Sequence, residues 1–98
     1  MLHLVAFPPW NTARCDALAA ALADGDQVVF IEQGGLFLDG TLGSGAALAL
    51  LQGAAEVAWH VERSVAPSGG MQVGDVVVID WAEIVALTEA HTPCLSWY

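Results

Sequence analysis

The chain of 98 residues is long enough for one domain, and 56% of its residues are apolar whereas only 13% are charged. It has eleven acidic residues but only two arginines and no lysine, which gives a formal net charge of −9. A surface that binds nucleic acid needs clustered Lys and Arg, so this composition excludes direct contact with nucleic acid.

The first elements in chain order are a strand, a helix and a second strand. Residues 1–6 predict the first strand, which "FPPWN" ends because proline cannot donate to a strand ladder. Asn11 can cap a helix that runs to about Ala23, with Gly25 just past its end. Residues 27–32 predict the second strand, which has a continuous apolar centre.

The second half of the chain continues this alternation. "QGGLFLDG" predicts a turn-rich connection, "TLGSGAALALLQG" a weaker helix, and "EVAWHV" a third strand followed by a loop. A fourth strand is predicted over residues 75–79 and a helix over 81–91, with Asp80 and Glu83 forming a capping box at its start. The last residues, "TPCLSWY", predict a tail with an aromatic end.

Alternating strands and helices require crossovers, and these produce a largely parallel sheet covered on both faces. The unbroken runs "VVFI" and "VVVI" agree, because central parallel strands are buried on both sides. The sequence therefore predicts a single domain over residues 1–98. We expect a three-layer α/β sandwich with a mostly parallel sheet of four to five strands.

The low charged fraction also predicts that some apolar surface is shared with a partner. No apolar run approaches a membrane span, and the start of the chain lacks the basic region of a signal peptide. We therefore expect a soluble protein of a reducing compartment, most simply the bacterial cytoplasm. The two cysteines are far apart and no Cys/His cluster exists, so we expect no metal site and no cofactor.

Cys15 is the candidate for sulfur chemistry. It lies near the start of the first helix beside Arg14, and both features lower the pKa of a thiol. The alternative is that Cys15 lines up with Leu18 and Leu22 and is a small buried apolar residue. Cys94, in the tail, is expected to be accessible but without a chemical role.

Further candidates are binding or interface residues. Glu32, Gln33 and Gly34 follow the second strand, and ligands gather beyond the carboxyl ends of parallel strands. His91 ends the last helix, where the helix dipole alone favours histidine. The alternative is that His91 and the tail aromatics Trp97 and Tyr98 form part of a docking surface. No catalytic set is predicted.

Several segments together resemble the TusB/DsrH family of sulfur-relay subunits. They are "MLHLV", "PPW", the helix running to "DGD", "VVFIEQGG", "VVVIDWAEIVALTEAH" and the closing "SW". In the family, the late segment reads as a strand end like Ile-Asp-Tyr and then a helix with Leu-Thr and a histidine. Here these positions are Ile79 to Trp81, Leu87 with Thr88, and His91. The resemblance covers essentially the whole chain.

The resemblance implies a DsrE/F/H-like sandwich that works in a hetero-oligomer with two paralogous, TusC/TusD-like subunits. Such complexes pass persulfide sulfur toward 2-thiouridine at the tRNA wobble position, and the main persulfide cysteine belongs to a partner. The subunit itself is then non-catalytic. The alternatives are a DsrH-type subunit in sulfur oxidation and a thiol carrier that uses Cys15, since some DsrH-type members carry a cysteine on this helix. A third is an unrelated acidic module that binds its ligand at Glu32.

Overall fold

The computed structural model describes residues 1–39, 44–67, 76–91 and 93–98. The described strands are β1 (Leu2–Val5), β2 (Gln27–Phe30), β3 (Ala58–Glu62), β4 (Val77–Ile79) and β5 (Cys94–Trp97). The described helices are α1 (Thr12–Ala21), α2 (Ser44–Gln52) and α3 (Trp81–Ala90), with 3₁₀ helices at Glu32–Leu38 and Arg63–Val65.

All five strands are parallel and form one sheet in the order β4-β3-β2-β1-β5. From β1 to β4 the chain moves outward one strand at a time. The segment containing α3 then returns the chain across the sheet, so that β5 pairs with the free side of β1. Helices pack on both faces, which confirms the predicted three-layer α/β sandwich with a parallel sheet.

Side chains that alternate along β2 form the two cores of the protein. Val28 and Phe30 lie in the larger core, beneath α1 and α2, whereas Val29 and Ile31 lie in the smaller core beneath α3. Successive residues of a strand point to opposite faces, so a strand covered on both sides must be apolar throughout. This requirement explains the unbroken apolar run of the second predicted strand.

Aromatic rings fill the larger core. Phe37, from the 3₁₀ helix after β2, stacks on Phe30 at 5.1 Å between ring centroids and meets Phe7 edge-on at 5.7 Å. Trp59 of β3 stacks on the other side of this group, 6.0 Å from Phe30. Such pairs add to the stabilisation from apolar burial, so the connection after β2 is part of the core.

The predicted helix caps are present. The Asn11 side chain accepts a hydrogen bond from Arg14 N at 3.2 Å, and the Asp80 side chain accepts one from Glu83 N at 2.9 Å. Gly25 has a φ of 89°, the left-handed conformation that glycine tolerates at such turns. The helix ends differ slightly, since α1 ends at Ala21 and not at Ala23.

Two segments differ from the prediction. The tail is in fact β5, whose amide and carbonyl groups pair with β1, although residues 94–96 are exposed. An exposed edge strand needs no apolar alternation, so its sequence lacks the usual signal. The turn-rich connection contains the 3₁₀ helix Glu32–Leu38, and the start of the predicted strand 75–79 lies partly outside the described residues.

Two adjacent glycines allow this 3₁₀ helix to lie close to its neighbours. A Cβ on Gly34 would overlap the carbonyl oxygen of Val5 at the end of β1. A Cβ on Gly35 would lie 2.5 Å from the carbonyl oxygen of Val65. Both clashes are with backbone atoms, which cannot rotate away, so a side chain at either position would displace the 3₁₀ helix.

We predict that Gly34→Ala lowers the free energy of unfolding by about 2 kcal/mol or more, because the added methyl group forces backbone atoms apart. Urea unfolding measures this change. The matched control is Gly45→Ala in α2, where nothing lies within 4 Å of the added atom. Since alanine favours helix, the control should be neutral or stabilising by up to about 1 kcal/mol. Equal stability of Gly34→Ala and the unchanged protein would contradict the argument.

Candidate functional site

The predicted site after β2 lies at the carboxyl edge of the sheet. Glu32 has a φ of 50°, unusual for a residue other than glycine, and its side chain is exposed, as is that of Gln33. Gly34 is buried and donates its N–H to the carbonyl oxygen of Ile31 at 2.8 Å. The edge therefore offers two exposed polar side chains, whereas Gly34 has a packing role.

The structure separates the predicted interface residues. His91 follows the carboxyl end of α3, where its N–H donates to Leu87 O at 2.9 Å. It precedes β5, so it lies toward the amino edge of the sheet. Glu32 and Trp97 instead lie at the carboxyl edge, since Val5 pairs with Phe30 on one side and Trp97 on the other. His91 is therefore separated from Glu32 and Trp97 and does not form a docking surface with Trp97 at that edge.

Cys15 is buried at 3% exposure, and its Sγ lies 3.6 Å from the carbonyl oxygen of Pro9. Burial, and to a smaller extent the nearby Asp16 carboxylate, raise the pKa of this thiol. The direction is opposite to the one expected from the helix start and Arg14. Cys94 is exposed on β5. The buried thiol is therefore poorly suited to act as a thiolate in this conformation.

A buried chain of polar side chains, which no sequence pattern predicted, joins β5 to β1 and to the start of β2. His3, in β1, is completely buried. Its Nε2 lies 2.9 Å from Oδ2 of Asp26, and its Nδ1 accepts a hydrogen bond from Trp97 Nε1 at 3.1 Å. The His3 and Trp97 rings are also in contact, with centroids 6.1 Å apart. We call these three residues the His3 chain.

The His3 chain fixes which nitrogen of the imidazole carries the proton. An indole nitrogen can only donate, so Nδ1 of His3 must be its acceptor and carries no hydrogen. The hydrogen therefore lies on Nε2, from which it is donated to Asp26. In this arrangement His3 is neutral and each of its ring nitrogens has one partner.

Asp26 receives further hydrogen bonds. Its Oδ2 accepts from Ala23 N at 3.1 Å, and its Oδ1 lies 3.3 Å from the amino group of Met1. Burial would raise the pKa of this carboxyl, but the hydrogen bonds from His3 and Ala23 and the positive amino group outweigh it, so the pKa is lowered. Asp26 is thus held as a carboxylate.

Part of this chain could have been found in the sequence. A histidine within an apolar strand requires a partner, and Asp26 directly precedes the neighbouring parallel strand. The first residues of adjacent parallel strands lie side by side, which brings Asp26 near His3. Trp97 could not be added without knowing that the last residues form β5.

The described residues contain no group of three or more His, Cys, Asp or Glu side chains that could hold a metal ion. The same part of the chain has no helix that is both long enough and apolar enough to cross a membrane. The His3 chain is the best-connected polar cluster that we find, but its histidine is completely buried. Its geometry suits a structural role better than contact with a substrate.

Comparison of the chain with models of known protein families finds no match, and comparison with curated protein sequences finds none either.

We predict that alkylation distinguishes the two thiols of the folded protein. Cys94 should react at least about tenfold faster than Cys15, which is buried and has a raised pKa. Intact mass over time, with Cys94→Ser to isolate Cys15, measures the two rates. In concentrated urea both thiols should react alike. Rapid modification of Cys15 in folded Cys94→Ser would contradict its burial.

We predict that Asp26 stabilises the fold above its ordinary pKa of about 4 and that this contribution is lost as the pH falls through its lower folded value. Asp26→Asn should therefore lower stability at neutral pH, by about 1 kcal/mol or more, and weaken the acid dependence. Thermal unfolding across the acid range measures both effects. Asp16→Asn, at an exposed position of α1, is the control and should change neither.

Proposed function

We propose that this protein is a non-catalytic cytoplasmic subunit of a hetero-oligomeric sulfur-relay complex of the TusB/DsrH type. The complex passes persulfide sulfur toward 2-thiouridine at the tRNA wobble position. Resemblance to that family along the whole chain motivates the proposal, and the partners are two paralogous subunits like TusC and TusD. The parallel α/β sandwich is compatible with it.

The observation that carries the subunit role is exposed apolar surface on β4 and α3. Trp81 and Val85 lie one helical turn apart on α3 and are 51% and 53% exposed. Val77 of the edge strand β4 is also exposed and points to the face of the sheet that α3 covers, whereas the exposed Val78 points to the opposite face. We call Val77, Trp81 and Val85 the β4–α3 surface. Large apolar side chains that are exposed on neighbouring elements are typical of a protein interface.

The charges near this surface favour a partner different from the chain itself. Three exposed acidic residues lie on α3 or at its start: Asp80, Glu83 and Glu89. The whole chain has only two arginines. Two copies brought together here would place like charges against each other, which opposes association. A partner with an apolar centre and basic margins would instead be attracted.

The state of Cys15 supports a role without sulfur chemistry at this position. Cys15 is buried with a raised pKa, so it is poorly suited to carry a persulfide, and in this proposal a cysteine of a partner subunit carries it. The strongly acidic composition also argues against direct contact with tRNA. In this proposal the subunit shapes the complex while its partners hold the sulfur and the RNA.

Co-expression with the two paralogous subunits from the same genome tests the proposal. We predict a stable complex by size-exclusion chromatography, in which Val85→Glu weakens association by about tenfold or more because it introduces a charge into the β4–α3 surface. Ala20→Glu, at an exposed position of α1 on the other face of the sheet, is the matched control and should leave the complex intact. Recovery of the chain alone would contradict the proposal.

The cellular readout is the content of 2-thiouridine at the wobble position after deletion of the gene. We expect this modification to fall and to return when the intact gene is restored. Unchanged tRNA with impaired sulfur oxidation would assign the subunit to the DsrH branch. If both processes were unchanged, the sulfur-relay role would be wrong.

A further inference from the structure

β5 is an edge strand, and one side-chain hydrogen bond secures its carboxyl end. Within the described part of the chain the strand pairs only with β1, and residues 94–96 are exposed. Trp97 is the half-buried member of the strand and packs against the larger core. Its indole N–H is donated to His3, so the state of that imidazole bears directly on how firmly the end of β5 is held.

Protonation of His3 would affect its two partners in opposite ways. The bond from Nε2 to Asp26 would strengthen, because a positive imidazole would face a carboxylate. The bond from Trp97 would be lost, because Nδ1 would then carry a hydrogen that points at the indole N–H. Two donors facing each other at 3.1 Å leave both without an acceptor, which is costly for buried groups.

We propose that the bond between Trp97 and His3 is a proton-operated latch, which holds β5 against β1 while His3 is neutral and loosens it when His3 binds a proton. Trp97 is the contact that must move, because Asp26 favours the added positive charge. The device acts on the carboxyl end of one edge strand and leaves the β1–β2–β3 pairing in place.

The charged groups around His3 determine how the latch responds to pH. Asp26, before β2, contacts the ring directly, and the amino group of Met1 contacts Asp26. Of the two helices over this face, α1 carries Arg14 and Asp16, both exposed, and α2 carries no charged residue; the turn after α1 carries Asp24, which is also exposed. The carboxylate of Asp26 is thus the charge in contact with the imidazole.

The wild-type protein provides the first test, by nitrogen NMR of the imidazole and indole groups. At about pH 8, where histidine is ordinarily neutral, we expect the hydrogen of His3 on Nε2. As His3 takes up its proton, the Trp97 indole signal should shift and its exchange with solvent should accelerate. The proposal would be overturned if His3 carried its hydrogen on Nδ1 at high pH. It would also be overturned if the Trp97 indole signal did not change when His3 is protonated.

Hydrogen exchange of backbone amides, corrected for the intrinsic effect of pH, gives the second test. When the pH is lowered until nitrogen NMR shows a hydrogen on both ring nitrogens of His3, the protection of β5 should fall by about tenfold, which is the size of one lost buried hydrogen bond. Protection of β2 and β3 should stay constant. An equal loss in all strands would indicate general unfolding and overturn the latch.

Two variants and a matched control complete the experiment. Trp97→Phe keeps an aromatic ring but removes the N–H, so the protection of β5 should be low at high pH and independent of His3. His3→Gln cannot titrate and should abolish the response of β5. His60→Gln, in β3 with its own bond to Val28 O, should leave the response unchanged. A response that survives in His3→Gln, or disappears in His60→Gln, would contradict the latch.

Discussion

One carboxylate, that of Asp26, joins the amino terminus, β1 and the turn after α1. It accepts hydrogen bonds from Ala23, in the turn after α1, and from His3 in β1, and it lies directly before β2. Its backbone carbonyl accepts the N–H of Ala58, the first residue of β3. Through His3 it also reaches Trp97 in β5. The amino ends of β1, β2 and β3 thus meet at one residue, which bonds to β1 through its side chain and to β3 through its backbone.

Much of this architecture could be predicted because it depends on patterns within short segments. Local sequence preferences correctly predicted a buried strand, two helix starts and a turn. They belong to the apolar run of β2, to the cap residues Asn11 and Asp80, and to Gly25. Alternating elements then lead to parallel strands, since crossovers allow little else. The order of strands follows for β1 to β4, because neighbours in sequence become neighbours in space.

The remaining features depend on contacts between distant parts of the chain. β5 is exposed along most of its length, so its own residues give no strand pattern, and it forms because β1 has a free edge. The His3 chain joins residues that are 23 and 94 positions apart. The reactivity of Cys15 could not be predicted from the sequence for a similar reason, because a helix start lowers the pKa of a thiol whereas burial raises it. Only the packing around Pro9 and Leu18 decides between them.

Among the residues that the structure describes, no strand pairs with the outer edges of β4 and β5. The backbone groups of an unpaired edge strand can pair with a strand of another copy and so extend the sheet. The exposed valines of β4 would favour this pairing between copies. The formal charge of −9 keeps copies apart. That protection has a range of about 10 Å at 0.1 M salt but only about 3 Å at 1 M. Concentrated brine should therefore drive the isolated chain toward fibrils, and dilute buffer should keep it dispersed.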